Sequence, residues 1–260
     1  MLGRALGVNG RATLLATTFA AVVGFYGAMP ASIARQIAPA RRILFVGNSL
    51  TTMNDLPARV QALAASAGEG LECRAVAFPD FSLEDHWVQG DAKRAIHEGA
   101  WSIVVLQQGP SSLPESRRLL IDYTRRFAGE VRSINARTAL YMVWPSRARL
   151  ADFDGVSASY TAAARDVGGL LFPVGEAWRA AWRHDMTLAL YGEDSFHPTT
   201  LASHLAALVI YQQVSGRSPI GLSAALTSLF PRWAPAPMSP DRTSLIEHAA
   251  AEANARFGLR

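Results

Sequence analysis

The chain has 260 residues, half of them hydrophobic and 18% charged, enough for one sizeable core. Its formal net charge of +4 falls to +2 (23 basic against 21 acidic residues) once Arg4 and Arg11 of the acid-free N-terminal segment are set aside; with no Lys/Arg cluster interleaved with aromatics, this argues against a nucleic-acid partner. Cys73 is the single cysteine, which excludes an intramolecular disulfide and any cysteine-based metal site, and in an apolar β-like run it reads as a small structural hydrophobe.

Residues 1–34 form a separate compositional block. Arg4 and Arg11 precede an uncharged apolar run from about Ala12 to Met29, followed by Pro30-Ala31-Ser32-Ile33-Ala34. Basic, then apolar, then small residues is the order of an export signal, with Ser32 and Ala34 at the −3 and −1 positions of a cleavage site after Ala34. The run is also close to the ~17–20 residues that span a bilayer, so an uncleaved single-helix anchor is the alternative. Either way the rest of the chain is expected outside the cytoplasmic membrane, in a periplasmic or extracellular location. After a linker ending near Ala40, a main domain over 41–220 and a C-terminal extension over 221–260 are expected.

Within that domain, apolar β-rich runs alternate with helix-compatible stretches. Arg42–Gly47 reads as a first strand buried on both faces and Asp55–Ala67 as a helix. Leu71–Phe78 is a second strand, Ser82–Glu98 mostly helical, and Ile103–Leu106 a third strand closed by the Gly109-Pro110 turn. Glu115–Ile134 is a long amphipathic helix, with Arg117, Arg118, Arg125 and Arg126 as its solvated face. Thr138–Trp144 is a fourth strand, Ser157–Val167 a helix and Leu170–Val174 a fifth strand. Pro198 suits the first turn of a helix running to about Ser215. Leu222–Pro240, rich in Pro, Ser and Ala, reads as a surface excursion, and Asp241–Phe257 as a C-terminal helix outside the core. Strands separated by single helices imply an α/β fold, a three-layer α/β/α sandwich on a central parallel five-stranded sheet. In such sheets the site lies at the carboxyl ends of the strands.

Two segments there carry chemistry. Gly47-Asn48-Ser49-Leu50-Thr51 follows the first strand directly. A serine on a strand-to-helix turn presents its hydroxyl at the sheet's end, and its backbone N–H can face a developing oxyanion. The plainer reading of Ser49 is a helix N-cap. Asp194-Ser195-Phe196-His197-Pro198 sets a carboxylate three residues before an imidazole. That spacing lets Asp194 hold one ring nitrogen of His197 while the other acts as a base.

Together, Gly47-Asn48-Ser49-Leu50 and Asp194-x-x-His197-Pro198, with Ser49 and Asp194 145 residues apart, resemble the nucleophile and terminal blocks of the SGNH/GDSL hydrolase superfamily. The resemblance spans roughly Arg42 to Ser215 and implies a flavodoxin-like sandwich. It makes Ser49 the nucleophile, His197 the base and Asp194 its orienting partner, with no cofactor. The Gly-x-Ser-x-Gly elbow of α/β-hydrolases is absent, since Thr51 stands at its last position. Two blocks depart from the family pattern. The second, Phe78 to His86, lacks the glycine whose N–H joins the oxyanion hole, so Asp80 or Phe81 is expected to donate instead. The third reads Leu106-Gln107-Gln108-Gly109, where the family usually has Asn; Gln107 is favoured as the amide donor, with Gln108 next.

The implied reaction is ester cleavage through an acyl-Ser49 intermediate, on a small acyl ester or an acylated glycan. An acyltransferase and an exported carbohydrate-binding protein on a degenerate hydrolase fold are the competing readings. His86 reads as structural, and Trp178 and Trp182, four apart, as packing. The scattered histidines offer no metal site, and no phosphate-binding glycine loop is present.

Overall fold

The computed structural model describes residues 41–259 apart from 234, 236 and 237. The expected export segment and the linker after it lie outside the described residues, so neither cleavage nor anchoring is addressed by them. Among the described residues no helix is long and apolar enough to cross a membrane.

Five parallel strands, β1 (Arg41–Gly47), β2 (Leu71–Ala77), β3 (Ile103–Leu106), β4 (Arg137–Tyr141) and β5 (Leu170–Phe172), form one sheet in the order β2-β1-β3-β4-β5. The α/β sandwich expected from the alternating pattern is therefore present. β1 and β3 are central, and Ile43, Leu44, Phe45, Val46 and Ile103–Leu106 are all buried, as continuous apolar runs in a doubly covered sheet should be. The order reverses between β1 and β3, so the crevice at their carboxyl ends is the topological switch point of the sheet.

Ten α-helices are described: α1 (Ser49–Thr52), α2 (Leu56–Ser66), α3 (Leu83–Gln89), α4 (Asp91–Glu98), α5 (Pro114–Ser133), α6 (Phe153–Asp166), α7 (Val174–His184), α8 (Thr200–Ser215), α9 (Leu222–Leu229) and α10 (Pro240–Phe257). The mostly helical stretch expected over Ser82–Glu98 consists of two helices. Gly90, at φ 88°, ends α3 and turns the chain into α4, a left-handed conformation that glycine adopts without a Cβ penalty.

Pro198 is not in the first turn of α8. Thr199 caps that helix, its hydroxyl accepting from the Ala202 N–H, and Pro198 instead bridges to Tyr191. Nor is the C-terminal extension peripheral. Leu222–Leu229 is helical, and α10 packs on α7 and α8 with Ile246, Ala249, Ala250 and Ala253 buried. Beyond α10, Leu259 O accepts from the Leu171 N–H and so occupies part of the open edge of β5.

Candidate active site

Ser49 sits where the chain leaves β1. It is the first residue of α1, but the cap is Asn48, whose side-chain oxygen accepts from the Leu50 N–H at 3.1 Å. That relieves Ser49 of the capping duty the plainer reading gave it. Its backbone N–H, at the N-terminus of a helix, makes no hydrogen bond among the described residues.

The glycine before this turn has a packing cause. A Cβ on Gly47 would lie 2.4 Å from both Gln107 Oε1 and Thr51 Oγ1. Those two atoms are themselves hydrogen-bonded at 2.6 Å. Behind the turn, the buried His86 bonds Gly47 O through Nε2 at 2.7 Å, with Phe78 and Phe81 around its ring. Burial lowers the pKa of this imidazole, so it is the neutral form, with a proton on Nε2, that meets the carbonyl.

On the other side of the crevice, His197 Nε2 lies 2.8 Å from Ser49 Oγ, and His197 Nδ1 lies 2.5 Å from Asp194 Oδ2. Asp194 Oδ1 accepts the backbone N–H groups of Phe196 and His197 at 3.0 and 2.9 Å, closing the turn. The His197 bond and these two N–H groups hold the Asp194 carboxyl down to about 2. Ser195, at φ 60°, takes the left-handed position that makes so tight a turn.

The turn is fastened to the chain beyond β4. Trp144 Nε1 donates to Phe196 O at 3.0 Å, the Arg147 N–H donates to Ser195 O at 2.9 Å, and Tyr191 OH donates to Pro145 O at 2.6 Å. Trp144 is fully buried and stacks on Trp178, ring centroids 3.8 Å apart, which agrees with a packing role for Trp178.

Ser49 opens onto a hollow of about 350 Å³ lined by Asn48, Asp80, Phe81, Gln108, Arg149 and Phe196 together with Ser82, Ser111, Ser112 and Ser116. Asp80, within the stretch where the family pattern has a glycine, stands at φ 60°, a left-handed backbone that Asp tolerates. The Asp80 N–H makes no hydrogen bond among the described residues, whereas the Phe81 N–H bonds Phe78 O at 3.3 Å. Of the two expected alternatives, Asp80 is the one with a donor to spare.

Gln107 does not fit the donor role expected for it. It is wholly buried and does not line the hollow. Its Oε1 accepts from the Asn48 N–H and Thr51 Oγ, and its Nε2 donates to Asn48 Oδ1 and Gln108 O. Both amide hydrogens are spent. Gln108 does line the hollow, yet its Nε2 donates to Ser111 Oγ and Ser116 O, and its Oε1 accepts from the Leu83 N–H. Asn48 and Thr51 escaped the sequence reading, although their place beside Ser49 was the available signal; nothing in the spacing singles out Trp144.

Elsewhere, burial pushes the Cys73 thiol up to about 12, in keeping with an unreactive side chain. Among the described residues no group of three or more His, Cys, Asp or Glu side chains is placed to hold a metal ion.

No family model matches this chain, and neither does any curated protein. Solved structures do. A protein from Slackia heliotrinireducens assigned to the SGNH hydrolases is 28% identical, with a TM-score of 0.57 over 67% of this chain and 99% of that one. A DUF4886 family protein from Bacteroides uniformis aligns at a TM-score of 0.69 over 84% of this chain and 95% of its own, at 14% identity. An acetyl xylan esterase, AlAXEase, is similar at a TM-score of 0.55 and 11% identity, over 67% of this chain and 98% of its own.

Proposed function

Since this chain belongs to the SGNH hydrolase superfamily, we propose that it is an exported serine esterase that removes a small acyl group, O-acetyl on a carbohydrate, through an acyl-Ser49 intermediate. The observation that carries the reading is the unbroken relay from Ser49 Oγ to His197 Nε2 and from His197 Nδ1 to Asp194. His197 Nε2 accepts the Ser49 proton as Oγ attacks the ester carbonyl, and Asp194 stabilises the imidazolium and fixes its tautomer. The oxyanion is met by the unspent N–H groups of Ser49 and Asp80, aided by the helix N-terminus at Ser49. The proton passes from His197 to the departing alkoxide oxygen, leaving an acyl-Ser49. Water, deprotonated by the same imidazole, then cleaves that ester and restores the serine.

The hollow supports the small-acyl part of this reading. A volume of about 350 Å³ beside Ser49 suits a short acyl group and part of its alcohol, and its lining sets serines, Gln108 and Arg149 beside the apolar Phe81, Pro110, Leu113, Leu119 and Phe196. The similarity to an acetyl xylan esterase points the same way. Export rests on the order of basic, apolar and small residues in 1–34.

The purified protein should hydrolyse acetyl esters faster than long-chain esters, and Ser49→Ala should not hydrolyse them. Equal rates for the two proteins would remove the assignment. A second reading, a carbohydrate-binding protein on a degenerate hydrolase fold, draws on the fact that the side-chain amides of Asn48, Gln107 and Gln108 are all engaged internally. A fluorophosphonate probe separates the two, because only an activated Ser49 becomes labelled.

A further inference from the structure

We infer that Asn54 is a positioning residue that sets the separation of Ser49 and His197, an inference that rests on the serine-hydrolase reading above. The chain leaves α1 at Thr52 and turns through Met53, Asn54 and Asp55 before entering α2. Asn54 and Asp55 have φ of 54° and 53°, two successive left-handed residues, neither a glycine. Such a pair persists only where its surroundings over-determine it.

What determines it is a set of bonds that leads to the base. Asn54 Nδ2 donates to Pro198 O and to Ser203 Oγ, both at 2.9 Å. The amide orientation is forced, because a proline carbonyl can only accept. From the other direction Arg59, nearly buried, donates through Nε to Asn54 O at 2.7 Å and through a terminal nitrogen to Trp233 O at 2.5 Å. Asn54 thus stands five residues after the nucleophile and grips the peptide that follows the base.

The carbonyls on either side of His197 are held by different parts of the fold. Ser195 O and Phe196 O are taken by Arg147 and Trp144, from the chain beyond β4, and His197 O by the Gly192 N–H. Among the described residues only Asn54 reaches this turn from the nucleophile's own segment with a side-chain tie other than the Ser49–His197 bond itself. Misplacing a base by about 1 Å can cost ~100-fold in rate, so a tie between these two segments acts on turnover.

A plain turn-former is the competing explanation, and glycine separates the two. It is the residue best suited to φ 54°, so Asn54→Gly keeps the turn and deletes the tie. Asn54→Asp keeps the shape and replaces the donor by an oxygen that Pro198 O repels. The full-length wild type, Ser49→Ala, Asn54→Gly and Asn54→Asp proteins are compared by acetyl-ester kinetics, by thermal unfolding and by NMR titration of the His197 ring. Both Asn54 variants are expected to fold, to lose about tenfold or more in kcat with KM within about twofold, and to shift the His197 titration. Folded variants with wild-type kcat and an unchanged His197 titration overturn the inference, as does a lowered unfolding midpoint with kcat and titration unaltered. If Ser49→Ala proves as active as wild type, the serine-hydrolase reading fails by itself. The His197 titration then still decides the tie, supporting it if Asn54→Gly moves the curve and overturning it if the curve stays.

Discussion

Gln107 closes on Asn48 from both sides of its carboxamide, accepting the Asn48 N–H at 2.9 Å and donating to Asn48 Oδ1 at 2.9 Å. The residue expected to face the substrate instead stands behind the Ser49 turn and sets its shape. The Asn48 oxygen that Gln107 holds is the same one that caps α1 through the Leu50 N–H. A change at Gln107 is therefore transmitted to Ser49 through the cap.

Replacing Gln107 by Leu keeps the volume and strands the Asn48 N–H and the Thr51 hydroxyl in a buried place. We expect a loss of about 2–6 kcal/mol in unfolding free energy, since each buried group left without a partner costs about 1–3 kcal/mol. An oxyanion donor would behave otherwise, losing ~10²–10³ in kcat with little change in stability. Denaturant unfolding and steady-state kinetics on the same preparation distinguish these outcomes.

At Asp194 the expected outcome is kinetic. Asp194→Asn is expected to lower kcat by about 10⁴, because an amide lets the imidazole take the wrong tautomer. Since the carboxyl is held down to about 2, it stays ionised throughout the working range. The folded form lowers the Asp194 pKa, so its contribution to stability is present above about pH 4 and is lost as pH falls through about 2. The difference in melting temperature between wild type and Asp194→Asn should close over that interval, and a difference that persisted at its lower end would contradict the assignment.

How far the sequence carried the reading depends on the range of the interactions involved. β3 was legible to the residue, because a run such as Ile103–Leu106 ended by a turn has few other uses. The meeting of Ser49, Asp194 and His197 was legible from two local motifs, and the chain brings them together at 2.8 and 2.5 Å. Asp80 was half legible: the missing glycine was visible, its left-handed backbone was not. Gln107 was misjudged because the same amide can face a substrate or a neighbouring cap, and only the packing of Gly47 against it decides between them. α9 and α10 were underrated for a related reason. An alanine-rich helix has a weak apolar signature, yet Ala249, Ala250 and Ala253 allow close approach to α7 and α8.

Trp144 tests the far side of the His197 turn. Trp144→Phe keeps an aromatic ring against Trp178 and removes the N–H that holds Phe196 O. A neutral hydrogen bond of this kind contributes about 0.5–1.5 kcal/mol to folding, so only a few degrees of melting temperature should be lost. The expected effect on kcat is larger, about tenfold, with KM nearly constant, because the lost bond lies one residue before His197, the proposed base. A variant with unaltered kcat and a lowered melting temperature would make Trp144 a packing residue alone.

The last prediction concerns His204, fully buried in α8, whose Nε2 lies 2.9 Å from Ser223 Oγ and whose Nδ1 has no hydrogen-bond partner among the described residues. Burial, and secondarily the nearby Arg59 charge, lower its pKa from 6.5 to about 3. The unfolded chain therefore binds a proton at this position before the folded one does. Stability is fully present above the unfolded value and declines as pH falls from about 6.5 towards 3, with a slope from this residue of up to about 1.4 kcal/mol per pH unit. His204→Gln removes the titration and disturbs a packed site, so it should be less stable at neutral pH but show a flatter decline in acid. Chemical denaturation of both proteins at a series of pH values between 7 and 4 reads this directly. Parallel curves would mean that the acid sensitivity arises elsewhere, and the buried His86 against Gly47 O would be the next residue to test.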